Sequence, residues 1–100
     1  MVAKQAFEEV VGILNASVSS IRCDTLAAQL ARLGFEVRDG KQGGHKIFVH
    51  GGIPEFFSGS YNCGHGKNPE IKPAYIRKVL RILQQHEKEI IDFLEGQDDD

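Results

Sequence analysis

The chain has 100 residues, of which 41% are hydrophobic and 26% charged, as is ordinary for one small globular domain. This composition argues against wholesale disorder, and no apolar run is long enough to span a bilayer. The net charge of −2 is unevenly distributed, because residues 32–81 carry nine Lys or Arg and four acids, a net of +5. That basic segment suits a polyanionic partner such as nucleic acid, and a charged solvated surface is the equally weighted alternative.

The first third of the chain predicts two helices followed by a strand. Apolar residues at helical spacing predict the first helix over residues 3–15. The second is predicted to begin near Ser20, a favourable N-cap, and to stop at Gly34, because glycine readily adopts the left-handed conformation beyond a helix end. Residues 35–38 then alternate apolar and polar side chains, as a half-buried strand does.

The rest of the chain predicts two more strands and one long helix. Residues 46–50 are rich in β-branched and aromatic side chains, and residues 56–62 form a weaker run that contains a glycine. Pro73 suits the first turn of a final helix, whose apolar stripe extends over residues 76–94. The three strands follow one another with short connections. We therefore expect an α+β fold, with a three-stranded antiparallel sheet and the helices packed on one face.

The loop before the second strand carries the clearest candidate for chemistry. Gly43 and Gly44 allow a ligand to approach the backbone closely, and His45 follows them with a side chain that exchanges protons near neutral pH. Lys41 and Lys46 add positive charge on either side. Such a loop suits work on a phosphate backbone, and a surface histidine in a glycine-rich turn is the alternative.

Four segments occur in a fixed order between Leu26 and Gln84. They are Leu30-x-x-Leu33-Gly34-Phe35, Gly43-Gly44-His45-Lys46-x-Phe48, His65-Gly66-Lys67 and Ile76-Arg77-x-Val79-Leu80-x-x-Leu83. Together they resemble the HicA toxin family, the RNA-cleaving half of a toxin–antitoxin pair. The second segment is similar to the family's Gly-Ser-His loop, and the third is similar to the turn that carries its second histidine.

The resemblance implies a fold like that of a double-stranded-RNA-binding domain, α-β-β-β-α, with an additional N-terminal helix. It implies a toxin of a type II toxin–antitoxin system that cleaves mRNA without a metal or another cofactor. A HicB-like antitoxin is the implied protein partner, and a homo-oligomer stays open. Residues 1–20 would be a helical extension and link, residues 21–95 the HicA-like domain, and residues 96–100 a disordered acidic tail.

The resemblance also assigns roles to individual residues. His45 stands at the family's catalytic histidine, and it can act as general acid or base, because RNA cleavage moves protons at the 2′-hydroxyl and the 5′-oxygen. Around it we expect an RNA-binding surface made of Gly43, Gly44, Lys41, Lys46, His65, Lys67, Arg77, Lys78 and Arg81. Ordinary solvated side chains are the alternative for the cations. A non-catalytic RNA-binding module of the same fold and a protein-interaction domain are the competing functions.

The two cysteines, Cys23 and Cys63, are too few for the disulfide framework of a small secreted domain, so we expect two free thiols. Charged residues interrupt the N-terminal apolar run that a signal peptide needs, so we expect a soluble cytoplasmic protein without a membrane partner. A zinc site would have to combine Cys63 with His45, His50 and His65. Their spacing fits no known zinc module, so no metal site is predicted.

Side-chain alternation in the second strand places His45, Ile47 and Val49 on one face and Phe48 on the other. If Phe48 faces the helices, two apolar residues share the open face with the candidate catalytic histidine. Exposed apolar strand surface favours a cover, so we expect the first helix or a partner to lie on it.

Overall fold

The chain forms the α+β arrangement expected from the sequence, with one three-stranded antiparallel sheet. The computed structural model describes residues 2–56 and 58–98. Within them the elements are α1 (Val2–Ala16), α2 (Cys23–Arg32), β1 (Glu36–Asp39), β2 (His45–Val49), β3 (Gly59–Asn62), α3 (Pro73–Gln85) and α4 (Glu87–Asp98). The third strand is shorter than predicted, and Phe57 lies outside the described residues. Helix α4 extends into the expected tail, residues 96–100, whose last two residues also lie outside them. No helix in the described part has the length and apolarity to cross a membrane.

The strands are arranged in the order β1-β2-β3, with β2 in the middle. Phe48 of β2 lies opposite Gly59 of β3 and is fully buried in the hydrophobic core. His45, Ile47 and Val49 alternate with it and are only half-buried. The predicted parity of β2 is therefore confirmed, and these three residues mark what we call the open face of the sheet.

Helix α1 is part of the hydrophobic core. Phe7, Val10 and Leu14 lie at helical spacing, are buried, and belong to a helix that packs against α2, α3 and α4. In the described residues α1 approaches no strand. The expectation that the first helix covers Ile47 and Val49 is therefore wrong, because the apolar face of α1 is already used against other helices.

Helix α2 begins at Cys23, so Ser20 is not its N-cap. Residues 21–23 pair instead with residues 69–71 through backbone hydrogen bonds of 2.8 and 3.0 Å. That extended pairing delays the helix and joins its start to the loop after β3. The predicted stop is confirmed, since Gly34 adopts a φ of +92° just beyond the helix end.

The single final helix expected from the sequence is two helices, α3 and α4, which His86 separates. His86 has a φ of −111° and a ψ of 22°, which ends α3. Neither glycine nor proline marks the break, so the continuous apolar stripe over residues 76–94 conceals it. Helix α4 packs against α1, and its Phe93 contacts His50 and lies against Gly52.

Cys23 and Cys63 form a disulfide, so the expectation of two free thiols is wrong. Their Cα atoms are 5.6 Å apart, within the usual range for a bridged pair. Both cysteines are buried, and the bond joins the start of α2 to the residue that follows β3. The pairing of residues 21–23 with residues 69–71 brings these two positions together, and that long-range contact is invisible in the cysteine spacing.

Candidate functional site

His45 is the first residue of β2, and its side chain is half-buried on the open face. The closing turn of the β1–β2 hairpin positions it, because the Gly40 N–H donates to the His45 carbonyl at 2.8 Å. A Cβ added to Gly40 would collide with the imidazole ring. Gly40 therefore lies directly against the ring and limits where it can turn.

The glycine before His45 joins two turns. Gly44 has a φ of +81°, and its carbonyl accepts a 2.7 Å hydrogen bond from the Cys63 N–H. A Cβ at Gly44 would collide with the carbonyl oxygen of Gly64, which itself has a φ of +77°. A serine does not fit this position without strain, so the glycine follows from close backbone packing. The turn that carries His45 thus lies beside the turn that carries His65.

Three shallow cavities meet at His45. One of about 450 Å³ is lined by Lys41, Gln42 and Asn62 together with the histidine. A second, of about 330 Å³, extends across the open face to Lys78 of α3. The third, of about 360 Å³, lies over the backbone of residues 39–44. His45 is thus accessible from the side of the glycine loop and from the side of α3.

The predicted RNA-binding cations fall into two groups. Lys46 lies on the opposite side of β2 from His45, and its ammonium pairs with Asp39. The structure therefore does not bring Lys46 and His45 together. The other group is solvent-exposed and makes no ion pair with any described residue; it consists of Lys41, Lys67, Arg77, Lys78 and Arg81.

The far part of the open face is electrically neutral. Arg38 lies opposite Ile47 and donates to the Glu36 carboxylate at 2.8 and 3.1 Å. This hydrogen bond and the charge of Arg38 lower the pKa of Glu36, so the pair stays ionised at neutral pH. Positive charge beside His45 therefore comes from Lys41 and Lys78, which line cavities with it.

His65 and Lys67 lie in the loop after β3, which the start of α2 holds in place. His65 lines a fourth cavity on the far side of Gly43, together with Tyr75. Lys67 is exposed in the same loop, and Arg77 and Arg81 are exposed one helical turn apart on α3. The structure thus groups His65 with a separate cavity, and Lys67, Arg77 and Arg81 line neither that cavity nor those at His45.

The His45 ring is chemically unengaged within the described residues, since neither ring nitrogen has a hydrogen-bond partner there. An exposed imidazole can take a proton from one group and return it to another. Within the same residues, no three or more His, Cys, Asp or Glu side chains are arranged to hold a metal ion.

Two residues of the site were not predicted from the sequence. Gly40 supports the ring of His45, and Asn62 lies directly opposite it in the β2–β3 register. The Asn62 side chain accepts a 2.7 Å hydrogen bond from the Gly64 N–H and lines two of the cavities. A prediction of the strand register within the antiparallel meander would have identified Asn62, because the register determines which residue lies opposite His45.

No protein-family model, curated protein or solved structure significantly matches this chain.

Proposed function

We propose that this protein is a HicA-like mRNA endonuclease, the toxin of a type II toxin–antitoxin system, in which His45 is the catalytic acid–base. The proposal includes a double-stranded-RNA-binding-domain-like core made of α2, β1, β2, β3 and α3. One observation carries it: the unengaged ring of His45 lies where three cavities meet, with Lys41 and Lys78 lining two of them. The resemblance of the four sequence segments to that family supports the same assignment.

The chemistry needs no metal ion. His45 removes the proton of a ribose 2′-hydroxyl, and the 2′-oxygen then forms a bond to the adjacent phosphorus while the bond from phosphorus to the 5′-oxygen breaks. The products are a 2′,3′-cyclic phosphate and a free 5′-hydroxyl, which receives a proton from water or from the imidazolium. Lys41 and Lys78 stabilise the extra negative charge of the transition state, and Arg77 and Arg81 extend the phosphate contacts along α3.

Substitution of His45 by alanine tests the assigned role. We expect RNA cleavage by H45A to fall by about 10²- to 10⁴-fold, because a positioned acid–base supplies that factor, while RNA affinity changes little. K4A is the matched control, since Lys4 is an exposed cation of α1 that lines none of the cavities at His45. Cleavage and binding should be measured on the same RNA. Undiminished cleavage by folded H45A would remove His45 from the mechanism.

A non-catalytic RNA-binding module is the second candidate. It is favoured by the lack of any described hydrogen bond to the His45 ring, since catalytic imidazoles are commonly held by a second side chain. This alternative uses the same exposed cations and requires no proton transfer. RNA binding that weakens with salt, without cleavage of any RNA at pH 5–9, would favour it over the nuclease.

A HicB-like antitoxin would occupy the open face, where Ile47 and Val49 are half-exposed beside His45. The proposal also places the toxin in the cytoplasm, where disulfides are rare. The Cys23–Cys63 pair therefore tests the location. Alkylation of the protein in intact cells should trap two thiols if it is cytoplasmic, and a fully formed disulfide would argue for an oxidising compartment.

A further inference from the structure

A cavity of about 430 Å³ lies beside the His45 site, on the other side of the glycine loop. Its volume falls within the range of small-molecule sites, about 300–1,000 Å³. Polar side chains and one aromatic ring form most of its wall; those used below are Gln42, Asn62, His65, Glu70, Lys72 and Tyr75. We call it the Tyr75 cavity.

The Tyr75 cavity adjoins the site at His45. Gln42 and Asn62 line both the Tyr75 cavity and the 450 Å³ cavity of His45, and Gly43 borders it and the loop cavity. An RNA strand with its reacting phosphate at His45 therefore has a neighbouring nucleotide within reach of the Tyr75 cavity.

The wall of the Tyr75 cavity has the groups that recognise a nucleobase. Tyr75 is half-buried in the first turn of α3, and a fixed aromatic ring is a stacking surface for an unpaired base. Glu70 is exposed and forms no ion pair with a described residue, so its carboxylate is free to accept hydrogen bonds. Lys72 and His65 can hold the phosphate of the same nucleotide.

The donor and acceptor pattern of this wall selects one base. The Asn62 oxygen is occupied by the Gly64 N–H, so its amide nitrogen remains as a donor. A carboxylate and an amide donor that line one cavity complement guanine, which presents two adjacent N–H donors and a carbonyl acceptor on one edge. Adenine, cytosine and uracil each lack the pair of adjacent donors.

The wall is held in place before any ligand arrives. Backbone pairing with residues 21–23 fixes Glu70, and the Asp24 N–H donates to the Asn68 side chain at 3.0 Å. A preorganised wall avoids the entropic cost of ordering on binding.

From this geometry we propose that the Tyr75 cavity is a guanine-selective subsite, which binds the base of a nucleotide next to the phosphate that reacts at His45. The inference rests on the proposed RNA-directed function and specifies its substrate. Tyr75 stacks on the base, Glu70 accepts from its two N–H donors, and Asn62 donates to its carbonyl oxygen.

Mononucleotide binding tests the subsite without any cleavage. Titration of ¹⁵N-labelled protein with GMP, AMP, CMP and UMP should show GMP binding about tenfold more tightly than the others, with shifts at residues 62–75. In E70Q this preference should fall to within about twofold. E55Q is the matched control, because Glu55 is an exposed carboxylate outside the cavity, and it should keep the preference. Equal binding of all four nucleotides, absence of binding, or an unchanged preference in E70Q would overturn the inference.

RNA cleavage separates this inference from the proposed function. Sequencing of product ends should show guanosine enriched beside the cut for the wild type, and E70Q should cut with less enrichment. Cleavage without guanosine enrichment would overturn the subsite and leave the nuclease intact. Selective GMP binding by a protein that neither binds nor cleaves RNA would reject the nuclease while supporting the cavity as a nucleotide site.

Discussion

Two histidines flank the middle of β2, His45 as its first residue and His50 directly after its last, and they have opposite surroundings. At the aromatic end, His50 is 5% exposed and lies between Phe35 and Phe93, at ring-centre distances of 4.7 and 4.6 Å. Its Nε2 donates to the Leu33 carbonyl at 2.9 Å, and its Nδ1 accepts from the Gly52 N–H at 3.0 Å. Both ring nitrogens are therefore used inside the protein.

At the polar end, His45 is half-exposed, and neither ring nitrogen has a described partner. Glycine turns and the loop of residues 63–72 surround it, and cavities replace aromatic packing. Backbone hydrogen bonds, the side-chain hydrogen bonds of Asn62 and Asn68, and the Cys23–Cys63 disulfide help to hold this end together. In this protein, the available ring nitrogens of His45 make it the candidate for chemistry, whereas burial with both nitrogens hydrogen-bonded identifies His50 as a structural histidine.

Reduction of the disulfide should have the largest effect on stability, because this bond is a covalent link between distant parts of the chain. The two cysteines are 40 residues apart, and closing a loop of that length stabilises the folded state by about 4 kcal/mol in the chain-entropy model. We expect the free energy of unfolding, measured in urea with and without reductant, to fall by an amount of that order.

The control for this prediction is the C23A/C63A double variant, in which reductant should change nothing. Amide hydrogen exchange of the reduced wild type sharpens the comparison of the two ends. Exchange should accelerate more in residues 63–72 than in residues 50–53, because the aromatic end does not depend on the bond. Equal acceleration at both ends would show that they form one cooperative unit.

Substitution of His50 by alanine should have the next largest effect. It removes the hydrogen-bond partner of the buried Leu33 carbonyl and that of the Gly52 N–H, and it opens a cavity between two aromatic rings. We expect a loss of about 3 kcal/mol in the free energy of unfolding. The matched variant H45A should change stability by less than about 0.5 kcal/mol, since that side chain is half-exposed and unpaired. Equal losses in the two variants would refute the contrast between the two histidines.

The sequence predicted the aromatic end better than the polar end. Side-chain alternation is a local property, so the burial of Phe48 and the open-face position of His45 both followed from it. The same parity separates Lys46 from His45, although adjacency in sequence had suggested that they act together. Side-chain alternation therefore placed His45 correctly on the open face, whereas adjacency in sequence was misleading about Lys46.

The other features that the sequence analysis missed share one cause: they depend on contacts between residues far apart in the sequence. The pairing of residues 21–23 with residues 69–71 displaces the predicted cap at Ser20, and the disulfide joins the same start of α2 to Cys63. The break at His86 depends on α4 packing against α1, and no local breaker residue announces it. Asn62 becomes part of the site only through strand register. None of these contacts can be predicted from a short segment of the sequence.

Replacement of Tyr61 by phenylalanine should have the smallest effect, and it tests the core beneath the polar end. Tyr61 pairs with Lys46 in the sheet, is 1% exposed, and its buried hydroxyl has no described hydrogen-bond partner. Since an unpaired buried hydroxyl costs free energy, Y61F should gain about 1 kcal/mol at neutral pH, whereas Y75F, with a half-exposed ring, should change little.

Measuring stability at alkaline pH separates the contribution of the Tyr61 hydroxyl from other effects of this substitution. Burial raises the pKa of Tyr61 to about 12, whereas an unfolded tyrosine ionises near about pH 10. The folded wild type therefore holds a proton that the unfolded chain releases, and its stability should fall as pH rises from about 10 through 12. Y61F should lack that part of the decline in urea unfolding. A decline as steep in Y61F as in the wild type would mean that other groups cause it.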